Sequence, residues 1–146
     1  MSNTPTGNPV FRLIMNVFSG LYRATDGRIG GRMANLNVLL LTTTGRKSGK
    51  QRTNPLGYFE HDGGYVVTAS NGGADRHPGW FFNLEADPNV RVRIHDKEFP
   101  ARADVIGAEL RKKLWIRLVS LSPQYGNYAT STKREIPLIL LRPVKE

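Results

Sequence analysis

Apolar residues change their period several times along this chain, and each change marks an expected element. Val10, Phe11, Ile14, Val17, Phe18, Leu21 and Tyr22 recur at helical spacing, behind Asn8 as a cap and Pro9 at the first helical position. Such a helix either packs on its own domain or, with so apolar a stripe, touches a membrane or lids an apolar pocket. The polar residues 1–8 ahead of it read as loose. A glycine-rich link, residues 27–31, leads into strand-like sequence. Residues 37–43 are a continuous apolar run, the mark of a buried strand. Residues 54–61 and 65–70 read as two further strands joined by a hairpin turn at Asp62-Gly63-Gly64, and Pro55 marks an edge or a bulge.

Residues 71–78 form a loop by composition, followed by a short helix over 78–86 with Trp80, Phe81 and Leu84 on its apolar face. Over residues 89–95 the pattern alternates, with Val90, Val92 and Ile94 inward and Arg91, Arg93 and His95 on a solvated face. The polar turn Asp96-Lys97 sends residues 98–105 back antiparallel. Leu110, Leu114, Leu118 and Leu121 share a stripe of a second amphipathic helix over 107–121. Residues 122–134 read as a tyrosine-bearing connection and 136–141 as a last buried strand. About six short strands with few helices predict a mainly β (α+β) fold, a small antiparallel barrel with flanking helices. Residues 1–146 make a single domain, with 1–30 as a flexible or amphipathic-helical appendage.

Composition narrows the chemistry. A chain of 146 residues can bury a core without staples, and the absence of cysteine removes disulfides, thiolate nucleophiles and Cys-based metal sites. It also suits a reducing compartment. No apolar run approaches the roughly 20 residues that span a bilayer, and no signal-peptide h-region opens the chain, so the expected location is the cytoplasm. A net charge of +9 attracts an anionic cofactor, nucleic acid or an acidic membrane surface without choosing among them.

Much of that charge falls on one turn. Thr42-Thr43-Thr44-Gly45-Arg46-Lys47-Ser48-Gly49-Lys50-Gln51-Arg52 follows an apolar strand directly. Glycines let backbone N–H groups approach an oxyanion, Arg and Lys supply charge, and hydroxyls complete the hydrogen bonds, so the segment has the build of an anion cradle. The ligand it suits is phosphorylated or polycarboxylated. It is not a Walker loop, because only three residues separate Gly45 from Gly49 and Gln51 follows Lys50. A solvated basic hairpin with no ligand is the alternative.

A series of segments carries a family likeness. These are Thr44-Gly45-Arg46-Lys47-Ser48-Gly49, Arg52, Asn54-Pro55-Leu56, and Ser70 with Gly72-Gly73-Ala74. His77-Pro78, Trp80 and Asn83-Leu84 follow, then Tyr125 and Tyr128 ahead of Thr132, Arg134 and Ile136-Pro137. In order and spacing, from about residue 39 to 143, the series resembles the deazaflavin-dependent nitroreductases, also described as quinone reductases dependent on coenzyme F420. The resemblance implies a split β-barrel that binds reduced F420 and passes a hydride to a quinone or a nitroaromatic acceptor. In that cofactor a carbon replaces the flavin N5, and the tail bears a phosphate and a chain of glutamates. Arg46, Lys47, Ser48, Gly49 and Arg52 are then expected to hold the tail, with Asn54 and Pro55 beside the deazaflavin. Ser70, Asn71, Gly72, Gly73 and Ala74 would approach the ring through backbone, and Pro78, Trp80 and Asn83 would support the site.

On the acceptor side the same resemblance points to Tyr125 and Tyr128, whose phenols can hydrogen-bond a reducible oxygen or give it a proton. Ser122 stands where the members best known for nitroimidazole reduction carry another tyrosine, and Ser131 where they carry an aromatic, so quinone and nitroaromatic acceptors both stay open. His61, His77 and His95 lack metal-ligand spacing. His77 reads as a proton donor or as a turn stabiliser. An FMN-binding barrel oxidoreductase and a basic nucleic-acid module are the rival classes, the latter without any recognisable motif set. A small-molecule acceptor, peripheral contact with the inner face of the cell membrane through the N-terminal helix, no nucleic acid, and a monomer or homodimer complete the expectation.

Overall fold

The computed structural model describes residues 9–145 except 29 and 34, and of Phe11 the backbone alone. The loose segment expected at residues 1–8 and the Asn8 cap lie outside the described residues. Helix α1 (Pro9–Ala24) is followed by strands β1 (Arg32–Met33), β2 (Leu36–Thr44), β3 (Gln51–His61) and β4 (Gly64–Thr68). A 3-10 turn (Asn71–Gly73) and helix α2 (Gly79–Ala86) precede β5 (Asn89–Ile94) and β6 (Lys97–Val105). Helices α3 (Ala108–Leu121) and α4 (Gln124–Thr130) and strand β7 (Leu138–Pro143) complete the chain.

The strands are ordered β1-β2-β3-β4-β7-β6-β5, and antiparallel pairing of Leu40, Leu41 and Thr42 with Arg93, Val92 and Arg91 brings β5 back onto β2. That contact closes β2 to β7 into a six-stranded antiparallel barrel. Every barrel strand sends side chains inward, among them Leu39, Tyr58, Val67, Val92, Ala103 and Leu141, and α2 adds Trp80, Phe81 and Leu84 to the same core. The two unbroken apolar runs, β2 and β7, are covered on both faces. Val38 and Leu40 pack outward against Tyr22 of α1, while Leu138 and Leu140 pack outward with Leu114 and Leu118 of α3.

Strand β3 behaves differently along its length. It pairs with β2 from Gln51 to Tyr58, whereas β4 takes up only residues 58–61. Pro55, which brings no N–H, lies in the half without a β4 partner, as an edge position requires.

Four expectations shift. Residues 122–134 contain a helix, α4; Gly126 and the β-branched Thr130 give it little intrinsic propensity, and packing on α3 and on the 3-10 turn supplies the stability. The β5–β6 turn is His95-Asp96, one residue earlier than expected, because Ile94 pairs with Lys97 and His95 adopts φ 54. Leu110 and Leu121 of the α3 stripe are exposed, leaving Leu114 and Leu118 as its buried contacts. The α1 stripe also divides: Tyr22 is fully buried and Phe18 partly so, whereas Val10, Ile14, Val17 and Leu21 face solvent together with Leu13.

Tyr22 ties α1 to the barrel. Its hydroxyl donates to Val38 O (2.9 Å) and accepts from His95 N (2.8 Å), and burial raises its pKa above 10.0. Nearby, Arg93 reaches Asp26 at 2.8 Å and donates to Arg23 O, so part of the expected solvated face of β5 holds the end of α1. Replacing Tyr22 by Phe strands a buried carbonyl and a backbone N–H, and is expected to lower unfolding free energy by about 2 kcal/mol in denaturant titration. A loss below roughly 0.5 kcal/mol would remove this residue as the anchor.

Candidate active site

The β2–β3 connection, residues 45–50, is held from within. Gly45 N donates to Lys50 O (2.7 Å) and Gly49 N to Gly45 O (2.8 Å). A Cβ on Gly45 would lie 2.8 Å from Ser48 Oγ and 3.0 Å from Lys50 O, and Gly49 adopts φ +71, so both glycines are demanded by the turn. Ser48 Oγ accepts from Lys50 N at 3.1 Å. Lys47, Ser48, Lys50 and Arg52 are exposed.

Arg46 is aimed by α2. Its backbone N (3.1 Å) and Nη1 (2.8 Å) both donate to Asn83 Oδ1, and Nη1 also reaches Gly79 O (3.3 Å). The guanidinium lies over the Phe82 ring at 5.2 Å. Asn83 is buried and spends its amide on Thr43 Oγ1 (3.2 Å), so one asparagine joins β2, the basic turn and α2. Its presence in the core is explained by these bonds, since an unpaired buried amide costs about 1–3 kcal/mol.

Two adjoining cavities run from this turn along the open half of β3. The outer one, about 350 Å³, is lined by Arg12, Asn16, Gln51, Arg52 and Asn83, with Arg46 at its edge through Asn83 and Gly79. The inner one, about 270 Å³, is lined by Pro55, Gly57, Thr68, Ser70, Tyr125 and Tyr128, with Asn71, Gly72 and Pro78 also on its wall. Met15, Asn54 and Trp80 line both. The arrangement offers a cationic groove opening into a chamber of apolar and aromatic side chains. Thr68 and Asn71, on the inner wall, each carry a buried side-chain oxygen with no hydrogen-bond partner among the described residues.

The wall after β4 is a left-handed turn. Asn71, Gly72 and Gly73 have φ of 49, 65 and 81, values that asparagine and glycine tolerate and branched residues do not. Arg134 clamps it from behind: Nε donates to Ala74 O (2.8 Å), and Nη2 to Ala69 O (3.1 Å) and Ser70 O (2.8 Å). Nη1 of the same guanidinium meets His77 Nδ1 at 2.9 Å. Burial first, and the Arg134 charge second, lower the His77 imidazole below its ordinary 6.5. Ser131 Oγ donates to Gly73 O (3.0 Å), joining the turn to the end of α4.

On the opposite wall Tyr125 and Tyr128 of α4 meet edge to face, centroids 5.3 Å apart. Burial, and then Tyr128, push the Tyr125 phenol up to about 12, so it stays protonated at any ordinary pH. Gln124 Nε2 donates to the Tyr128 hydroxyl, which leaves the phenolic hydrogen for another acceptor.

Most of the expected site residues are thus brought together. Lys47, Ser48 and Gly49 sit on the adjacent basic turn, and Gly73 and Ala74 form the backbone behind the inner wall. Ser122 is not brought to either cavity: it is 1% exposed at the α3–α4 junction, where its carbonyl accepts from Tyr125 N. Expectation missed Met15, Thr68, Gln124 and the clamp by Arg134. Of these, Arg134 alone had a signal, as a cation set in the matched segment before the last strand.

Comparison with known proteins agrees with this geometry. Residues 14–143 match the family model of F420H(2)-dependent quinone reductases. The F420H(2)-dependent quinone reductase of Mycobacterium tuberculosis strain H37Rv is 36% identical over 132 residues, covering 88% of this chain and 89% of the relative. A solved F420-H2 dependent reductase superimposes with a TM-score of 0.66 at 42% identity, over 72% of this chain and 93% of that one. A structure described as a domain-swapped dimer gives 0.69 at 35% identity, over 92% and 100%. With the closed split barrel and the basic groove, these likenesses establish that the chain belongs to the F420H(2)-dependent quinone reductase family, oxidoreductases that use coenzyme F420.

Proposed function

We propose that this enzyme reduces a quinone in the inner chamber, with the tail of the coenzyme in the outer groove and its ring against the turn at residues 70–74. The observation that carries the reading is the continuity of the two cavities through Met15, Asn54 and Trp80, one flanked by cations and the other by phenols. The residues present fit the cofactor on two counts. Arg46, Lys47, Lys50 and Arg52 match a phosphate and glutamate tail in charge, with Arg46 already oriented by Asn83. The unpartnered oxygens of Thr68 and Asn71 offer the inner chamber hydrogen-bond acceptors, and the Thr68 hydroxyl a donor, suited to a polar planar ring.

When bound, the reduced deazaflavin supplies a hydride. The protein's share is placement, exclusion of water and a proton. Pro55, Leu56, Trp80 and Met15 give the chamber walls that lack ionisable groups. Tyr128 is the proton source assigned to the acceptor: with its oxygen occupied by Gln124, its O–H is free to donate to the quinone oxygen that gains negative charge. One hydride and one proton convert quinone to hydroquinone, which balances the step. Tyr125 remains a neutral phenol that supports Tyr128 by edge-to-face contact.

Helix α1 carries a second reading. Val10, Leu13, Ile14, Val17 and Leu21 form an exposed apolar face, while Met15 on the neighbouring face lines both cavities and Arg12 lines the outer one. Such an apolar stripe on a chain of net charge +9 fits an anionic lipid surface, from which a lipid quinone would reach the chamber beside α1. Among the described residues no helix is long and apolar enough to cross a membrane, so the contact would be peripheral.

Three outcomes are expected. Arg46→Ala or Lys47→Ala weakens F420 binding about 10- to 100-fold in fluorescence titration with little change in thermal midpoint; unchanged affinity, or tight FMN binding without F420 binding, would reject the cradle. Tyr128→Phe lowers anaerobic quinone turnover by about 100-fold while F420 affinity holds, and equal turnover would reject the proton-donor role. Flotation with anionic liposomes should fall when Ile14 and Val17 become Ser; identical flotation, or a sedimentation change from dimer to monomer in the same variant, would assign the stripe away from lipid.

A further inference from the structure

Arg134 lines neither cavity, yet every edge of its guanidinium is used on the segment that forms the inner wall. Ala69 O and Ser70 O share Nη2, Ala74 O takes Nε, and His77 Nδ1 faces Nη1. The contacts bracket the left-handed turn at 71–73 from both sides. A guanidinium has no lone pair to give. The His77 contact is therefore a hydrogen bond only when Nδ1 is bare, which requires a neutral imidazole with its proton on Nε2. A protonated ring would set N–H against N–H and cation against cation.

We propose that Arg134 and His77 are positioning residues for the reaction, neutral His77 fixing the guanidinium fork against the carbonyls of Ala69, Ser70 and Ala74, so that protonation of His77 loosens the wall under the cofactor ring. The inference rests on the reading of the inner chamber as the seat of that ring.

The surroundings of His77 support a neutral ring. It stacks on Phe81 (4.8 Å) and Phe82 (5.7 Å), both on α2, and Phe82 carries Arg46 on its ring. Glu85 of α2 favours the imidazolium, but burial and Arg134 outweigh it, and Asp75 in the loop acts on Arg134. The sign follows. Because the folded value lies below the ordinary 6.5, the clamp is complete above that pH and is lost as pH falls through the folded value. The Phe82 contact also means that His77 and Arg46 rest on one ring.

The test uses the full chain, with F420 affinity measured from about pH 8 to about pH 5 for wild type, His77→Asn and Arg134→Lys. The Asn amide oxygen can take the place of Nδ1 as acceptor and does not titrate, and the cofactor's own titration is common to all three proteins. Wild type is expected to lose about tenfold more affinity than His77→Asn across that range, the effect of roughly one hydrogen bond. Arg134→Lys, a point charge that cannot span three carbonyls, should bind weakly throughout. Parallel pH profiles for wild type and His77→Asn, or wild-type affinity in Arg134→Lys, would overturn the proposal. So would a His77 ring resonance in wild type that titrates at or above the ordinary value, a measurement independent of how the variants fold. Failure of wild type to bind F420 at pH 8 would instead sink the ring-seat reading. In that case, movement of the Ala69, Ser70 and Ala74 backbone resonances in step with the His77 titration supports the clamp, and their independence overturns it.

Discussion

Closure of the barrel depends on β2, which, like β7, takes hydrogen-bonded partners at both edges and cover on both faces. β3 and β5 pair with its two sides, Leu39 and Leu41 enter the core, and Val38 and Leu40 pack under α1. A strand in that situation can contain hardly any polar residue, which is why residues 38–41 are all aliphatic. The same strand delivers the basic turn at its end. The cation cluster is thus mounted on a strand held at both edges and on both faces, and the groove begins at a fixed point.

Between its two pairing partners β3 cannot be fully zipped. β4 ends at Thr68, just past the pair of Val67 with Tyr58, and the half of β3 left without it becomes the floor of the groove. Helix α2 fills the barrel interior with Trp80, Phe81 and Leu84 and leaves its remaining side chains to organise chemistry. Asn83 orients Arg46 beside the basic turn, while Phe82 and Phe81 seat His77 behind the turn at residues 70–74. One short helix therefore orients both Arg46 and His77, and its position is set by apolar burial rather than by either contact.

Much of this was legible in the sequence, for physical reasons that differ by element. Residues buried on both faces, as in β2 and β7, leave an unbroken apolar run that cannot be mistaken for a surface strand. The turn at 71–73 was legible because left-handed backbone demands Asn and Gly. Helix α4 was not legible, since Gly126 and Thr130 weaken its local preference and its stability comes from tertiary contact. The α1 pattern was read as one stripe, but a helix lying across a barrel offers two apolar faces about a third of a turn apart, and period alone cannot say which one is covered. Ser122 was placed in the site by resemblance, whereas its position at a helix C-terminus buries it. Arg134 stood out as a cation in the matched segment, but its role as a clamp was not legible because its targets are largely carbonyls, which carry no side-chain signature.

The missing donor at Pro55 has a consequence for how the molecule behaves in a crowded solution. A half-strand open along one edge is a template on which another chain can add by β-pairing, the usual route to uncontrolled association. Here that edge has a residue with no N–H to donate to a ladder, at the middle of the exposed stretch, with α1 packed across the strand. The open half of β3, the floor of the proposed cofactor groove, is thereby a poor template for a foreign peptide backbone.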